Sequence, residues 1–408
     1  MTPYRFLRAA ASGILALALS SCIFPFETDF AEQTGDLPLV VEGDILIGGA
    51  TTIQLRRVQP FKELEDEERE RYAFRHVTAT IEGEDGAKVT DTYDGGYIFF
   101  GYSRSSMTAT LYFDTRDLRP DQRYRLVLSV QGPDEASSAT YESDWVSVTP
   151  APVIDGLTYS ANTQDEELQI GLSMHCRGAH HFRWSFEEDW EFHSELNSYY
   201  MFDPETSLVR PYDDYLTQNI YYCWAHEEAY TDQTISTANQ TDDRFEDLNF
   251  HAVSLKDTRL QMLYRLRLHL SALDPDAYNY WETIRQNSEE QGSLFAPTPS
   301  QVTGNIHCTS NPSVLAIGYI GACQEVVGEM YYDNSIEHYF IPDPPIMFDP
   351  IEMSNIPEIN YSLYRDSYLP YQTVSTGGEP NYIWAPSYCV DCTRNGGSKS
   401  KPEDWPRD

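Results

Sequence analysis

The stretch Leu118-Arg119-Pro120-Asp121-Gln122-Arg123-Tyr124-Arg125-Leu126-Val127-Leu128 decides the fold of the amino-terminal part of the chain. After the corner at Pro120 the side chains alternate. Tyr124, Leu126 and Leu128 face one way, and Arg123, Arg125 and Val127 face the other. A period of two with one apolar face is a half-buried strand. Working outward, the same period recurs. Leu39-Val40-Val41-Glu42-Gly43 and Ile45-Leu46-Ile47 flank turn residues, and Gly48-Gly49 leads into Thr52-Ile53-Gln54-Leu55-Arg56-Arg57-Val58. Val77-Thr78-Ala79-Thr80-Ile81 ends at the turn Glu84-Asp85-Gly86, and Gly95-Gly96 breaks the chain before Tyr97-Ile98-Phe99-Phe100. The charge-dense run from Lys62 to Arg71 reads as a solvated loop or a short helix. Strands at roughly ten-residue spacing with Gly-rich turns predict a β-sandwich. It is placed at 36–150, with Thr149-Pro150-Ala151-Pro152 as a stiff linker behind it.

The spacing of Leu118, Pro120 and Tyr124 resembles that of fibronectin type III domains, where the Tyr hydroxyl pins the corner entering a strand. A second β-rich domain is expected over 151–325. Its strands are read at Leu168-Gln169-Ile170-Gly171-Leu172, at His181-Phe182-Arg183-Trp184-Ser185-Phe186, and at Tyr221-Tyr222-Cys223-Trp224. A long strand at Leu260–Leu270 sets Leu266, Leu268 and Leu270 on one side and Arg265, Arg267 and His269 on the other. A helix is expected near 275–291. Asp274 can cap it and Pro275 suits its first position. Leu273, Ala277, Trp281, Ile284 and Ser288 would form its buried face, and Gly292 its stop. Gly304–Cys323 reads as a hairpin closing the second sheet. Residues 326–408 are rich in Tyr and Pro with little periodicity, an extended region held by disulfide, aromatic packing or docking. The expected class is mainly β: two Ig/fibronectin-III-like sandwiches, the second with a helical insertion, and an extended carboxy-terminal region.

The 408 residues carry 28 Lys+Arg against 64 Asp+Glu, a formal net charge of -36. That excludes a generic nucleic-acid binder, which needs clustered cations. Aromatics reach 13% with 29 Tyr, which excludes an acidic disordered chain. The amino terminus reads as a signal peptide over 1–21, with Arg5 and Arg8 before the apolar run Ala9 to Leu19. Leu19-Ser20-Ser21-Cys22 is a lipoprotein signal, in which Cys22 is acylated. Residues 22–35 form the tether. Its start, Ile23-Phe24-Pro25-Phe26-Glu27-Thr28-Asp29, loosely resembles the acidic tract that sends Bacteroidota lipoproteins to the cell surface; a plain periplasmic tether is the alternative. No later stretch is long and apolar enough to span a bilayer as a helix. The expectation is a soluble body anchored by lipid.

Six further cysteines are even in number, and an exported chain meets an oxidising compartment. The expected pairs are local: Cys308–Cys323, Cys389–Cys392 and Cys176–Cys223. Cys389-x-x-Cys392 lacks the βαβ context of a redox pair and reads as a structural clip. His175-Cys176 with His180-His181 has zinc-compatible donors, but no metal is assigned. Glu187-Glu188-Asp189 and Glu191 could supply paired carboxylates, yet such neighbours on a strand usually form a solvated face or a cation site. GxSxG, HExxH, P-loop and EF-hand motifs are absent from the sequence. The reading is a protein without enzyme activity or cofactor. Tyr and Trp give rigid contact area with a polar handle. Trp184, Trp190, Tyr199, Tyr200 and Trp224 are the candidate ligand or partner contacts.

The mature chain resembles the domain of unknown function 4249 family of Bacteroidota lipoproteins. The resemblance rests on Leu39-Val40-Val41-Glu42-Gly43, Phe182-Arg183-Trp184, Leu270-Ser271, Ala277-Tyr278-Asn279-Tyr280-Trp281 and Gly292-Ser293-Leu294-Phe295. It continues through Pro299, Gly304-Asn305-Ile306, Gly318-Tyr319, Cys389-Val390-Asp391-Cys392, Gly396-Gly397, Lys401-Pro402 and Trp405. It implies an outer-membrane lipoprotein that accompanies a TonB-dependent transporter as a substrate-capturing lid or accessory subunit. A surface adhesin and a hydrolase of surface polymers are the alternatives.

Overall fold

The computed structural model describes residues 37–58, 72–95, 106–131, 138–238, 244–290, 304–375 and 378–407, with 65, 69–70, 98–99 and 102–103 between them. The signal peptide, Cys22 and the tether lie outside these residues, as do Gly292-Ser293-Leu294-Phe295 and most of the 62–71 run. Among the described residues no helix is long and apolar enough to cross a membrane.

The first module runs through β1 (Leu39–Glu42), β2 (Ile45–Leu46), β3 (Ala50–Arg57), β4 (His76–Gly83), β5 (Lys88–Asp94), β6 (Ile98–Phe99), β7 (Tyr102–Ser103), β8 (Thr108–Asp114), β9 (Arg123–Gln131), β10 (Ala139–Ser143) and β11 (Val146–Thr149). Two sheets face each other. Leu39, Val41, Ile53, Leu55, Leu111 and Phe113 come from one, and Val77, Ile81, Tyr124, Leu126, Leu128 and Tyr141 from the other, in one apolar core. The expected alternation of β9 is present, with Tyr124, Leu126, Leu128 and Val130 buried. The Tyr124 hydroxyl donates to the Arg119 carbonyl and accepts from the Arg119 N–H, both at 2.8 Å. The corner is closed by those two bonds.

The second module is built from β12 (Val153–Asn162), β13 (Glu167–His175), β14 (His181–His193), β15 (Tyr200–Asp203), β16 (Leu208–Pro211), β17 (Tyr222–Ser236), β18 (Arg244–Ser254) and β19 (Leu263–Leu273). A sheet of order β12-β13-β18 packs on one of order β17-β14-β19, which a later strand extends. Leu168, Ile170, Phe182, Trp184, Leu266, Leu268 and Leu270 share the core. Fully burying one such side chain contributes roughly 1.5–3 kcal/mol. Arg265, Arg267 and His269 lie on the other face, as the alternation required.

A helix, Pro275–Glu290, leaves β19. Asp274 caps it, its Oδ1 accepting from the N–H groups of Asp276 at 2.9 Å and Ala277 at 3.0 Å. Its buried face differs by one position from the expected one. Ala277 and Tyr280 are buried, and Trp281 is only half-buried. The next strands depart further from expectation. β20 (Ile306–Cys308), β21 (Ala316–Ile317) and β22 (Ala322–Cys323) are not a hairpin of the second sheet. β20 pairs with β10, β21 runs parallel to β1, and β22 runs parallel to β2 and β11. The edges of the first sandwich attract them, because β1, β2 and β11 have no other cover on that side. β23 (Glu325–Asp333) then pairs with β19 and completes the second sandwich. The helix and the three strands after it therefore form an excursion inserted between β19 and β23 of the second sandwich, as expected for the helix, and its strands pair with the first sandwich.

Beyond β23, the strands β24 (Ile351–Ser354), β25 (Tyr368–Val374) and β26 (Asn381–Pro386) form a small sheet with a helix at Pro357–Arg365. Phe202 and Val209, from the hairpin β15–β16 between β14 and β17, pack there against Tyr382 and Trp384. The region expected to be extended is folded, with the β14–β17 loop as half of its core.

All three expected disulfides are corrected. Cys223 is bonded to Cys392 across 169 residues. Cys176, Cys308, Cys323 and Cys389 are buried thiols. Cys176 lies in the second core and Cys308 in the first. Cys323 sits on β22 and Cys308 on β20, which pair with different strands. Cys389 turns into an apolar cluster with Ala385 and Val390, while Cys392 enters a separate one with Phe192 and Cys223. Gly397 lies against that bond. A Cβ there would come within 2.8 Å of Cys223 Sγ and of Phe192 Cζ, so no larger residue fits. The chain then pairs as a bridge with Trp224 through Ser398 and runs on as a strap over the outer face of β14 and β19.

Candidate functional site

An antiparallel sheet packed on one face carries polar side chains on the other. β14 follows that rule, with Phe182, Trp184 and Phe186 inward and Arg183, Ser185, Glu187, Asp189 and Glu191 outward. Register turns the outward residues into rows. Glu228 on β17 faces Glu187, which faces Arg267 on β19, which faces Glu329 on β23. In the next row His226 faces Asp189, Arg265 and Tyr331 in order.

The rows are bonded across the strands. Arg265 donates through Nε at 3.0 Å and NH2 at 2.7 Å to Asp189 Oδ2, and both side chains are almost fully buried. His226 Nδ1 lies 2.9 Å from Asp189 Oδ1. Arg267 bridges Glu187 and Glu329. His269 Nδ1 is 3.0 Å from Glu325, and its Nε2 is 3.8 Å from Glu187. Burial pulls the His226 pKa down, but the bond to Asp189 and its charge outweigh this and raise it. The hydrogen bond to Glu325 likewise raises that of His269.

Two walls enclose this floor. On one side stand Glu42, Gly43, Thr52 and Gln54 of the first sandwich and Trp281 of the helix, around a cavity of about 680 Å³. Gly43 has φ +132°, and a Cβ there would come within 2.4 Å of the Thr52 carbonyl oxygen, so the wall requires glycine. The junction is fixed by an ion pair between Arg183 and the buried Asp44, with the Arg183 guanidinium 5.4 Å over the Trp281 ring. Thr149 Oγ1 adds a bond of 2.7 Å to the Ala272 carbonyl. On the other side the strap covers a cavity of about 350 Å³ between Trp224, His226, Arg265 and residues Ser398 to Glu403. Arg265 NH1 donates to the Glu403 carbonyl at 3.0 Å, and its guanidinium lies 5.6 Å over Trp405. Arg407 pairs with Asp333 and Glu191. Glu187 lines both cavities, which adjoin along this floor and are together called the trough.

The carboxylates singled out in the sequence separate. Glu188 points inward. Burial favours its neutral form, but bonds from His251 at 3.1 Å and Tyr264 at 2.6 Å and the Arg259 charge hold its pKa below the ordinary value. Glu187, Asp189 and Glu191 point outward and meet Arg267, Arg265 and Arg407.

The aromatic candidates divide. Trp184 is a core residue, edge-on to Phe250 at 6.3 Å, which corrects its expected role as a contact. Trp190 packs on two apolar clusters under Arg259. Tyr200 is half-buried, with its hydroxyl 3.1 Å from Thr373 Oγ1. Tyr199 is exposed and rests on Tyr215. Trp224 lines the trough, with the Lys399 and Lys401 ammonium groups 5.8 and 5.6 Å over its ring. The His175-Cys176 and His180-His181 group does not converge. His175 binds Asp155, Cys176 enters the core, and His181 stacks on Tyr278. Among the described residues, one group of possible cation ligands does converge: Glu187, His226 and Glu228. The last two were missed in the sequence. Their signal was the period of two that puts Trp224, His226 and Glu228 on one face of a strand.

Fold and site define a class: paired β-sandwiches with a polar trough between a neighbouring module and a carboxy-terminal strap. The chain belongs to the domain of unknown function (DUF4249) family, whose model matches residues 23–328. The small sheet β24–β26 with its helix and the strap lie beyond the matched residues, while the β15–β16 hairpin packed on that sheet lies within them. No curated protein matches the chain.

Proposed function

We propose that the protein is a lipoprotein, acylated at Cys22 and held at the outer membrane, that captures a polar ligand without chemical turnover. It would present that ligand to a TonB-dependent transporter as its lid or accessory subunit. The trough carries this reading. Its floor alternates carboxylates, imidazoles and guanidinium groups, and Trp281 and Trp224 stand at its two ends. That mixture suits a ligand with several hydrogen-bonding groups and an apolar face. The carboxy-terminal region supports docking to a partner, since it exposes Ile336, Met347, Ile356 and Tyr361. The lipoprotein signal and the family resemblance support the placement.

The test is a detergent pull-down of the lipidated protein from its native membrane, read by mass spectrometry. A stoichiometric TonB-dependent barrel is expected. Recovery of the lipidated protein without any barrel would overturn the transport reading and favour the adhesin.

A further inference from the structure

We infer that Glu187, His226 and Glu228 form a binding site for one divalent transition-metal ion, zinc by its donor set, with an open coordination position facing the trough. The three ligand atoms lie within 4.8 Å of one another. Two hydrogen-bonded strands fix the backbone beneath them. Glu187 is directly opposite Glu228, and His226 sits on the adjacent row of the same face. One imidazole nitrogen with carboxylate oxygens is a donor set that zinc accepts.

The orientation of His226 is the second argument. A metal-binding imidazole commonly gives its other ring nitrogen to a carboxylate, which fixes tautomer and aim. Here Nδ1 is held by Asp189 at 2.9 Å, and Asp189 is itself clamped by two bonds from Arg265. Nε2 is left 3.7 Å from Glu228 Oε1. Charge supplies the third argument. Like charges directly opposite on a ladder destabilise it. Arg267 relieves Glu187 from the β19 side, and a cation between the strands would relieve it from the β17 side. A carboxylate has acceptor capacity for both.

Metal bonds of ~2.0–2.2 Å in a tetrahedron place neighbouring donors ~3.3–3.6 Å apart. The observed separations, 3.7 Å between His226 Nε2 and Glu228 Oε1 and at most 4.8 Å for any pair, need a contraction of up to about 1.5 Å. The His226 and Glu228 side chains are 47% and 53% exposed, so rotation can supply it. The walls of the trough leave the remaining position to water or to a donor atom of a ligand. This site stands on its own geometry and does not depend on the transport reading.

The experiment uses the purified protein, stripped with chelator and titrated with zinc chloride by calorimetry, with X-ray absorption of the loaded sample. One zinc per chain is expected, with light-atom neighbours that include an imidazole. His226→Ala and Glu228→Gln should each weaken binding at least tenfold. His175→Gln, at an exposed imidazole outside the trough, should leave it unchanged. Glu228→Gln, at a half-exposed side chain, should keep the parent's melting temperature, and both variants should keep its near-ultraviolet spectrum. Absence of stoichiometric zinc, or less than a twofold change in both variants, would overturn the assignment.

Discussion

Arg265→Met removes a guanidinium that is 2% exposed and leaves its partner Asp189, 3% exposed, without it. Breaking a buried pair from one side costs about 3–5 kcal/mol, because a charge stays behind in a poorly solvated place. Asp189 keeps one other partner, His226 Nδ1 at 2.9 Å. That imidazole already has a raised pKa. A raised histidine contributes stability that is full below its unfolded value, about 6.5, and is lost as pH rises through its folded value. In the variant, imidazolium therefore replaces part of the lost charge in mild acid and none of it in base. Urea unfolding followed by tryptophan fluorescence should show a loss near 3–5 kcal/mol at about pH 8.5 and a clearly smaller one at about pH 6. Replacing both partners, Arg265→Met with Asp189→Leu, should recover most of the loss, since no charge is stranded. A loss below about 1 kcal/mol at pH 8.5, the size of a surface pair, would refute the argument. The strap gives a second readout. Without the bond to the Glu403 carbonyl, limited proteolysis should cut within 398–407 sooner.

Further outcomes follow from other contacts. Cys223→Ser with Cys392→Ser opens a loop of 169 residues, and chain entropy puts the loss near ~5 kcal/mol. Denaturation of the paired variant against the parent measures it, and a loss under ~1 kcal/mol would mean the strap is held without the bond. Tyr124→Phe removes both bonds to Arg119 and should cost about 1–3 kcal/mol with no change in far-ultraviolet dichroism. An imidazole titration by NMR should find His226 and His269 protonated to a higher pH than a free histidine, and His181, whose pKa burial lowers, to a lower one. For His269 the raised state fades in Glu325→Gln, which removes its largest cause.

What could be read from the sequence was local. The alternation of Arg265, Leu266, Arg267, Leu268 and His269 fixes its own two faces, and Asp274-Pro275 marks a helix start whatever the rest does. Tyr124 belongs with these, because its partner is five residues away. The remaining features depend on pairings between distant segments. Cys223 finds Cys392 rather than a neighbour because the β14–β17 loop folds into the carboxy-terminal module. Trp184 taken alone reads as a contact, yet it shares its face with Phe182 and Phe186, and that face is the core. The same register carries Glu188 inward, a signal present in the sequence that the acidic neighbours on either side concealed. The trough needs β14, β17 and β19 side by side, and no spacing along the chain states that order.

The return of β20, β21 and β22 to the first sandwich has a consequence for how the molecule comes into being. The segment that closes β1, β2 and β11 is made only after the whole run from β12 to β19. As the chain emerges, the first module waits with open strand edges, the condition that invites pairing with other chains. The run β12 to β19 is contiguous, but β23 follows residues 304–323, so one late stretch, 304–333, completes both sandwiches. Completion of both sandwiches thus depends on pairings of long sequence separation, which form slowly. A fragment cut at the proline-rich linker would carry a complete set of early strands and still lack the three that close them.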